Sequence, residues 1–150
     1  MSKTKQEEAI AVVLSFIQQM NDWEHKRYLL SRLASGQPLN HASDRAIVPD
    51  MPVEVFHQEY FRIFEAHCTT RKRVHGGNAG SWARNGKYAG ASSQTIESTE
   101  ETKPGRIEVV LRGGQFHGNR FLFVVLKTAA GWRIDSAKHG QPGHWRIHYL

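Results

Sequence analysis

Arg106-Ile107-Glu108-Val109-Val110-Leu111-Arg112, then Arg120-Phe121-Leu122-Phe123-Val124-Val125-Leu126-Lys127-Thr128, then Trp132-Arg133-Ile134-Asp135-Ser136: these three runs decide the fold. A Gly-rich turn separates the first two, and Ala129-Ala130-Gly131 separates the second from the third. β-rich runs joined by tight turns are the pattern of an antiparallel meander. Ile107, Val109 and Leu111 share one face, which buries against the rest of the chain with Trp132 and Ile134 beside it. The middle run is different. Phe121, Phe123 and Val125 lie on one face while Leu122, Val124 and Leu126 lie on the other, and a strand apolar on both faces needs cover on both. Either a terminus or loop of the chain folds over the outer face, or that face is an interface for a partner or a second copy.

Upstream of the meander the apolar period changes from two to 3.6. Thr4-Lys5-Gln6-Glu7 has the form of a capping box. Behind it Ile10, Val13, Phe16, Ile17, Met20 and Trp23 recur at helical spacing, predicting a helix from about Lys5 to about Leu33, with a bend near Asn21-Asp22. Residues 36–52 hold three prolines and read as a loop. Asp50 or Met51 opens a second helix with Pro52 in its first turn, where a missing N–H costs nothing. Val53, Phe56, Tyr60, Ile63, Phe64 and His67 form its apolar face, and it ends around Cys68 or Thr69. Residues 70–91 are basic and Gly-rich, and the sequence reads as a long loop of the kind that is functional, disordered or hiding a short strand. Residues 92–102 form a polar, exposed strand, and Lys103-Pro104-Gly105 turns into the meander. Helices first and antiparallel strands after them predict one α+β domain over residues 1–150, with the helices on one face of a sheet of four to six strands.

The chain of 150 residues is long enough to bury about 70% of its unfolded surface. No apolar run approaches the roughly 20 residues needed to cross a bilayer, and the polar start Met1-Ser2-Lys3-Thr4 is not that of a signal peptide. Cys68 is the single cysteine, so no internal disulfide forms, and a cytoplasmic location is expected. The net charge of +6 is uneven: residues 1–70 hold 7 Lys/Arg against 9 Asp/Glu, residues 71–150 hold 13 against 5. The β half therefore steers toward an acidic partner, or is simply a solvated basic sheet whose charges discourage aggregation.

The helices, the long strand, the short Gly turn and Gly131-Trp132-Arg133-Ile134-Asp135 together resemble the nuclear-transport-factor-2-like (NTF2-like) superfamily, a cone of helices on a curved antiparallel sheet. Leu126 to Ser136 is similar to that fold's last strand pair. Within the superfamily, Trp23-Glu24 and the aromatic tail Trp145-Arg146-Ile147-His148-Tyr149-Leu150 look most like the NTF2-fold immunity proteins of bacterial polymorphic toxin systems, the Rhs-associated branch. The resemblance implies a cytoplasmic, non-enzymatic protein that binds and neutralises a cognate toxin. On that reading, the aromatic and basic residues of loop and tail are the expected contacts: Arg71, Arg73, Trp82, Arg84, Tyr88, Trp145 and His148, because arginines and aromatics are the usual anchors of protein interfaces. A homodimer through the outer sheet face is a second expectation.

The superfamily also contains enzymes, isomerases and dehydratases that keep an acid or base inside the cone. Such a group needs an apolar pocket that moves its pKa toward neutrality. Polar candidates for the cavity are Asp22, His25, Tyr28, Tyr60 and His67, with His67 falling on the apolar stripe of helix two. Each has a plainer reading, as a helix cap or a hydrogen-bonded core side chain. Asp135, next to core-facing Ile134, points outward and suits an edge role. His139, His144 and His148 are close in sequence, but the Gly140-Gln141-Pro142-Gly143 turn between them sets no ligand geometry, and there is no cysteine partner or His-Glu-x-x-His pattern. No metal and no cofactor are expected. The cations around Trp82 and Tyr88 also suit single-stranded nucleic acid, the less favoured partner class beside a protein toxin.

Overall fold

The computed structural model describes residues 4–36, 53–73, 88, 91–92, 95–113, 120–148 and 150. Helix α1 (Lys5–Ala34) begins in the expected capping box. Thr4 N–H donates to Glu7 Oε2 (3.0 Å) and Glu7 N–H donates to Thr4 Oγ1 (3.1 Å), satisfying two amides of the first turn. The helix runs uninterrupted through Asn21-Asp22. Helix α2 (Val53–His67) lies against it. Its expected opening at residues 50–52 lies outside the described residues, as does the loop of residues 37–52. The two helices are tied by the Trp23 indole, whose Nε1–H donates to the Phe56 carbonyl at 2.8 Å.

Five strands follow: β1 (Ile96–Lys103), β2 (Arg106–Arg112), β3 (Arg120–Thr128), β4 (Gly131–Gln141) and β5 (His144–His148). They form one antiparallel sheet in the order β1-β2-β3-β4-β5. The fold is α+β, two helices on a curved meander. Two details depart from the sequence reading. β4 does not stop at Ser136 but continues to Gln141, and the aromatic tail is itself a strand, β5. Pro142 and Gly143 connect them, with Gly143 at φ +85°. Gly140 is also required: at φ +127° an added Cβ would sit 2.7 Å from the His144 carbonyl oxygen.

The helices cover the inner face of the sheet. Ala9, Val13, Phe16, Ile17, Met20 and Trp23 of α1 meet Phe56, Tyr60 and Phe64 of α2 and Ile107, Val109, Leu111, Phe123, Val125 and Ile134 of the sheet in one buried cluster. Phe16 sits at its centre, with ring centroids 5.6 Å from Phe64, 6.0 Å from Tyr88 and 6.4 Å from Phe123. The outer face of β3 is not open. Val124 is 2% exposed and Leu122 8%. Val124 sits in register between Glu108 and Ser136, and Leu122 between Val110 and Lys138. Arg106 and Glu108 pair across this face at 3.1 Å. Leu126, the third apolar residue of this face, is half-buried, so none of the three is exposed.

Candidate partner-binding groove

The site is built where α2 passes its chain to the edge of β4. Just beyond the helix, Cys68 forms a single parallel bridge with Ile134, and Thr69 N–H donates to the Ile134 carbonyl at 2.9 Å. One residue further along β4 the ladder with β3 slips: Val124 pairs with Ser136 but Val125 pairs with Ile134, leaving Asp135 as the extra residue of a bulge. β5 pairs with β4 only from Ala137 to Gln141. The edge of β4 at Asp135 and Ser136 thus falls between the Cys68 bridge and the end of β5. A bulge re-aims the side chain it carries, and here it sends the Asp135 carboxylate toward the segment leaving α2.

That carboxylate accepts from Thr69 Oγ1–H (2.9 Å) and from Arg71 Nη1–H (2.9 Å). Arg73 donates to the Asp135 carbonyl (3.2 Å) and to the Thr69 carbonyl (2.7 Å). Three residues, Thr69, Arg71 and Arg73, are tied to a single bulge, and residues 71–73 become one wall of a groove of about 450 Å³. Lys138 and Ile147 form the facing wall, and Ala137 and Leu150, both buried, lie at its base. Ile147 is 73% exposed, the most exposed large apolar side chain among the described residues.

The groove is basic. Asp135 is the only acidic side chain among the described residues lining it, and Arg71 already answers its charge. Lys72, Arg73 and Lys138 remain without a carboxylate at ion-pair distance among the described residues. Arg73 spends its hydrogen bonds on neutral backbone and hydroxyl oxygens, so it is a fixed positive charge rather than a neutralised one. Behind the groove, His148 Nε2 lies 3.0 Å from the Tyr88 hydroxyl, and its ring packs edge-on against Phe121 (5.2 Å) and His139 (5.4 Å). Burial pushes the Tyr88 hydroxyl well above the usual phenol range, with the charges of Cys68, Glu24 and Tyr60 acting the same way.

The sequence pattern of the NTF2 fold immunity proteins matches residues 8–148, from the second turn of α1 to the last residue of β5. The chain belongs to the NTF2-fold immunity family. Comparison with curated proteins and with solved structures gave no match.

In this NTF2-fold immunity protein the expected contact residues separate. Arg71, Arg73 and His148 come together at the groove. Trp145 is half-buried on β5, opposite Gly140 and away from the groove. Tyr88 is corrected: it is wholly buried among Phe16, Phe121 and Phe123 and is a core side chain, not a surface anchor. Trp82 and Arg84 lie outside the described residues. Of the expected cavity groups, Tyr60 and His67 do turn inward. His67 is 6% exposed, with Nδ1 2.7 Å from the Ile63 carbonyl and Nε2 2.8 Å from Ser15 Oγ, the geometry of an Nδ1–H donor and an Nε2 acceptor. Asp22 is corrected: it is exposed on α1, where the Gln18 amide donates to it. His25 and Tyr28 are half-buried and outside the buried cluster, Tyr28 beneath the Arg32 guanidinium at 5.9 Å.

Lys138 and Ile147 were missed by sequence reasoning, because their place opposite residues 71–73 exists only once β5 is recognised as a strand. Among the described residues, no group of three or more His, Cys, Asp or Glu side chains is placed to hold a metal ion. No described helix is long and apolar enough to cross a membrane.

Proposed function

We propose that this protein neutralises a cognate toxin of a bacterial polymorphic, Rhs-type system, in the cytoplasm, by binding it rather than by catalysis. The observation that carries the reading is the family match, which takes in both helices and all five strands. The packing supports it. A cavity enzyme or small-molecule binder needs an open pocket with polar groups converging at its floor. Here the ring centroids inside the cone lie 4.8 Å apart for Trp23 and Tyr60 and 5.0 Å apart for Tyr60 and Phe64. The inward-turned His67 is held by Ser15 and Ile63 rather than aimed into open space. The basic groove supplies a surface instead.

The test is co-expression with the toxin domain encoded by the gene beside this one. Restored growth, together with a complex that survives size-exclusion chromatography, is the expected result. Killing unaffected by co-expression, with the two proteins eluting separately, overturns the reading.

A further inference from the structure

We propose, resting on the toxin-binding reading, that the groove between residues 71–73 and the Lys138–Ile147 wall receives an acidic segment of the partner protein. One apolar side chain of that segment lies against Ile147 above Ala137, and its carboxylates face Lys72 and Lys138.

Three observations fix the chemistry of the occupant. The first is charge. Three cations converge on a groove whose one acidic side chain among the described residues is already answered by Arg71, which leaves its side chains with an excess of positive charge. The second is division of labour among those cations. Arg73 is immobilised by four hydrogen bonds to Thr69, Arg71 and Asp135 oxygens; its charge is fixed in place and its donors are used. Lys72 and Lys138 are exposed and free to swing, and an ammonium on a four-carbon stem is suited to meeting a carboxylate whose position is set by the partner. The third is the apolar strip. Ile147, at 73% exposure beside buried Ala137 and Leu150, offers contact area that a carboxylate cannot use and that an aliphatic or aromatic side chain can.

The same strip argues for a protein over a nucleic acid. Single-stranded nucleic acid needs aromatic faces on which bases stack. The one aromatic ring among the described lining residues, that of His148, is packed against Phe121 and Tyr88. The wall needs little ordering before it binds, because Asp135 already holds residues 69–73, and preorganisation of this kind lowers the cost of association.

The experiment has two arms. In the first, the isotope-labelled full chain is titrated by NMR with a nine-residue peptide alternating glutamate and leucine. A lysine–leucine peptide and a fluorescein-labelled oligothymidylate serve as the other probes. The proposal expects saturable shifts at Lys72, Lys138 and Ile147 with the acidic peptide alone. Affinity should fall about tenfold in the Lys72→Glu/Lys138→Glu variant and less than twofold in Lys103→Glu, an exposed charge at the far β1–β2 turn. Both altered lysines are exposed, and unchanged amide spectra elsewhere confirm folding. No shifts in the groove, equal affinity in the double variant, or oligothymidylate occupying the groove in place of the peptide each overturn it. In the second arm the toxin domain itself is titrated by calorimetry. Toxin that binds wild type and double variant equally sinks the groove assignment and leaves toxin binding standing. Toxin that binds neither removes the functional reading, and the peptide arm alone then decides the groove.

Discussion

Cys68 sits where the chain leaves α2 for the edge of β4, and the residue is 4% exposed. Burial pushes its pKa up to about 12; Arg73 and Arg133 oppose the shift, and Asp135 adds to it. Raising the folded-state pKa above the unfolded value means that the native protein holds a proton the unfolded chain releases. The contribution is complete below about pH 9 and is lost as pH climbs toward about 12. Each pH unit inside that window removes about 1.4 kcal/mol per such group. Buried Tyr88 shifts in the same direction and adds its own loss above the ordinary phenol range. Urea denaturation from about pH 8 to about pH 10 should therefore show stability falling with pH. Cys68→Ala should flatten the lower part of that fall by about one proton. Parallel curves for the two proteins would exclude Cys68 as the source. The raised pKa also makes this thiol a poor nucleophile at neutral pH, which fits a packing role.

At the scale of elements, the Asp135 bulge is the joint between helix layer and sheet. Asp135→Ala removes the acceptor for both Thr69 and Arg71 and leaves the Thr69 hydroxyl half-buried with one partner fewer. The expected cost is about 1–2 kcal/mol. The Arg71 pair contributes the smaller part, since the Arg71 side chain is 55% exposed. Asp135→Asn keeps an acceptor for Thr69 and should cost less than half as much. The more telling readout is hydrogen exchange at the Thr69 amide, bonded to Ile134 across the bridge. It should speed up in Asp135→Ala well before global stability changes, and unchanged protection would mean that the carboxylate does not hold the segment. None of this could be read from residue order alone. The sequence placed Asp135 outward because it alternates with Ile134, but a bulge depends on how two strands count against each other, and only the pairing with β3 shows it. The opposite case is β3. Its nine residues were legible to the end because both of its faces are apolar between a Gly-rich turn and Ala129-Ala130-Gly131. β5 was not legible as a strand. His144, Arg146 and Ile147 are all exposed, so no alternation marks it, and the Pro142-Gly143 connection was its one signal.

For the molecule as a whole, one ring organises the inner face of the sheet. Phe123 is fully buried, packed against Phe16, Tyr88 and Phe121 at once. Phe123→Ala should cost about 3–5 kcal/mol, a large share of the roughly 5–15 kcal/mol that a domain of this kind possesses. Urea unfolding measures it directly; a loss below about 1 kcal/mol would mean that the cluster repacks. The fold class was readable from the switch between helical and alternating periodicity, since both layers bury regular stripes. The candidate site was half readable. Arg71-Lys72-Arg73 announces itself as a charge run and His148 as part of an aromatic tail, whereas the facing wall comes from residues more than 60 positions away whose meeting depends on topology.

That topology has a temporal side. Each strand pairs with its neighbour in sequence, β1 with β2, β2 with β3, and so on to β5, so every ladder closes through a hairpin and none waits for a distant strand to arrive. Chains with local pairing pay less loop-closure entropy before contacts form, and they fold faster than sheets with long crossovers. A protein that must already be native when its partner reaches it gains from speed as much as from stability. The meander gives this one a sheet in which each ladder can form as soon as the next strand has left the ribosome.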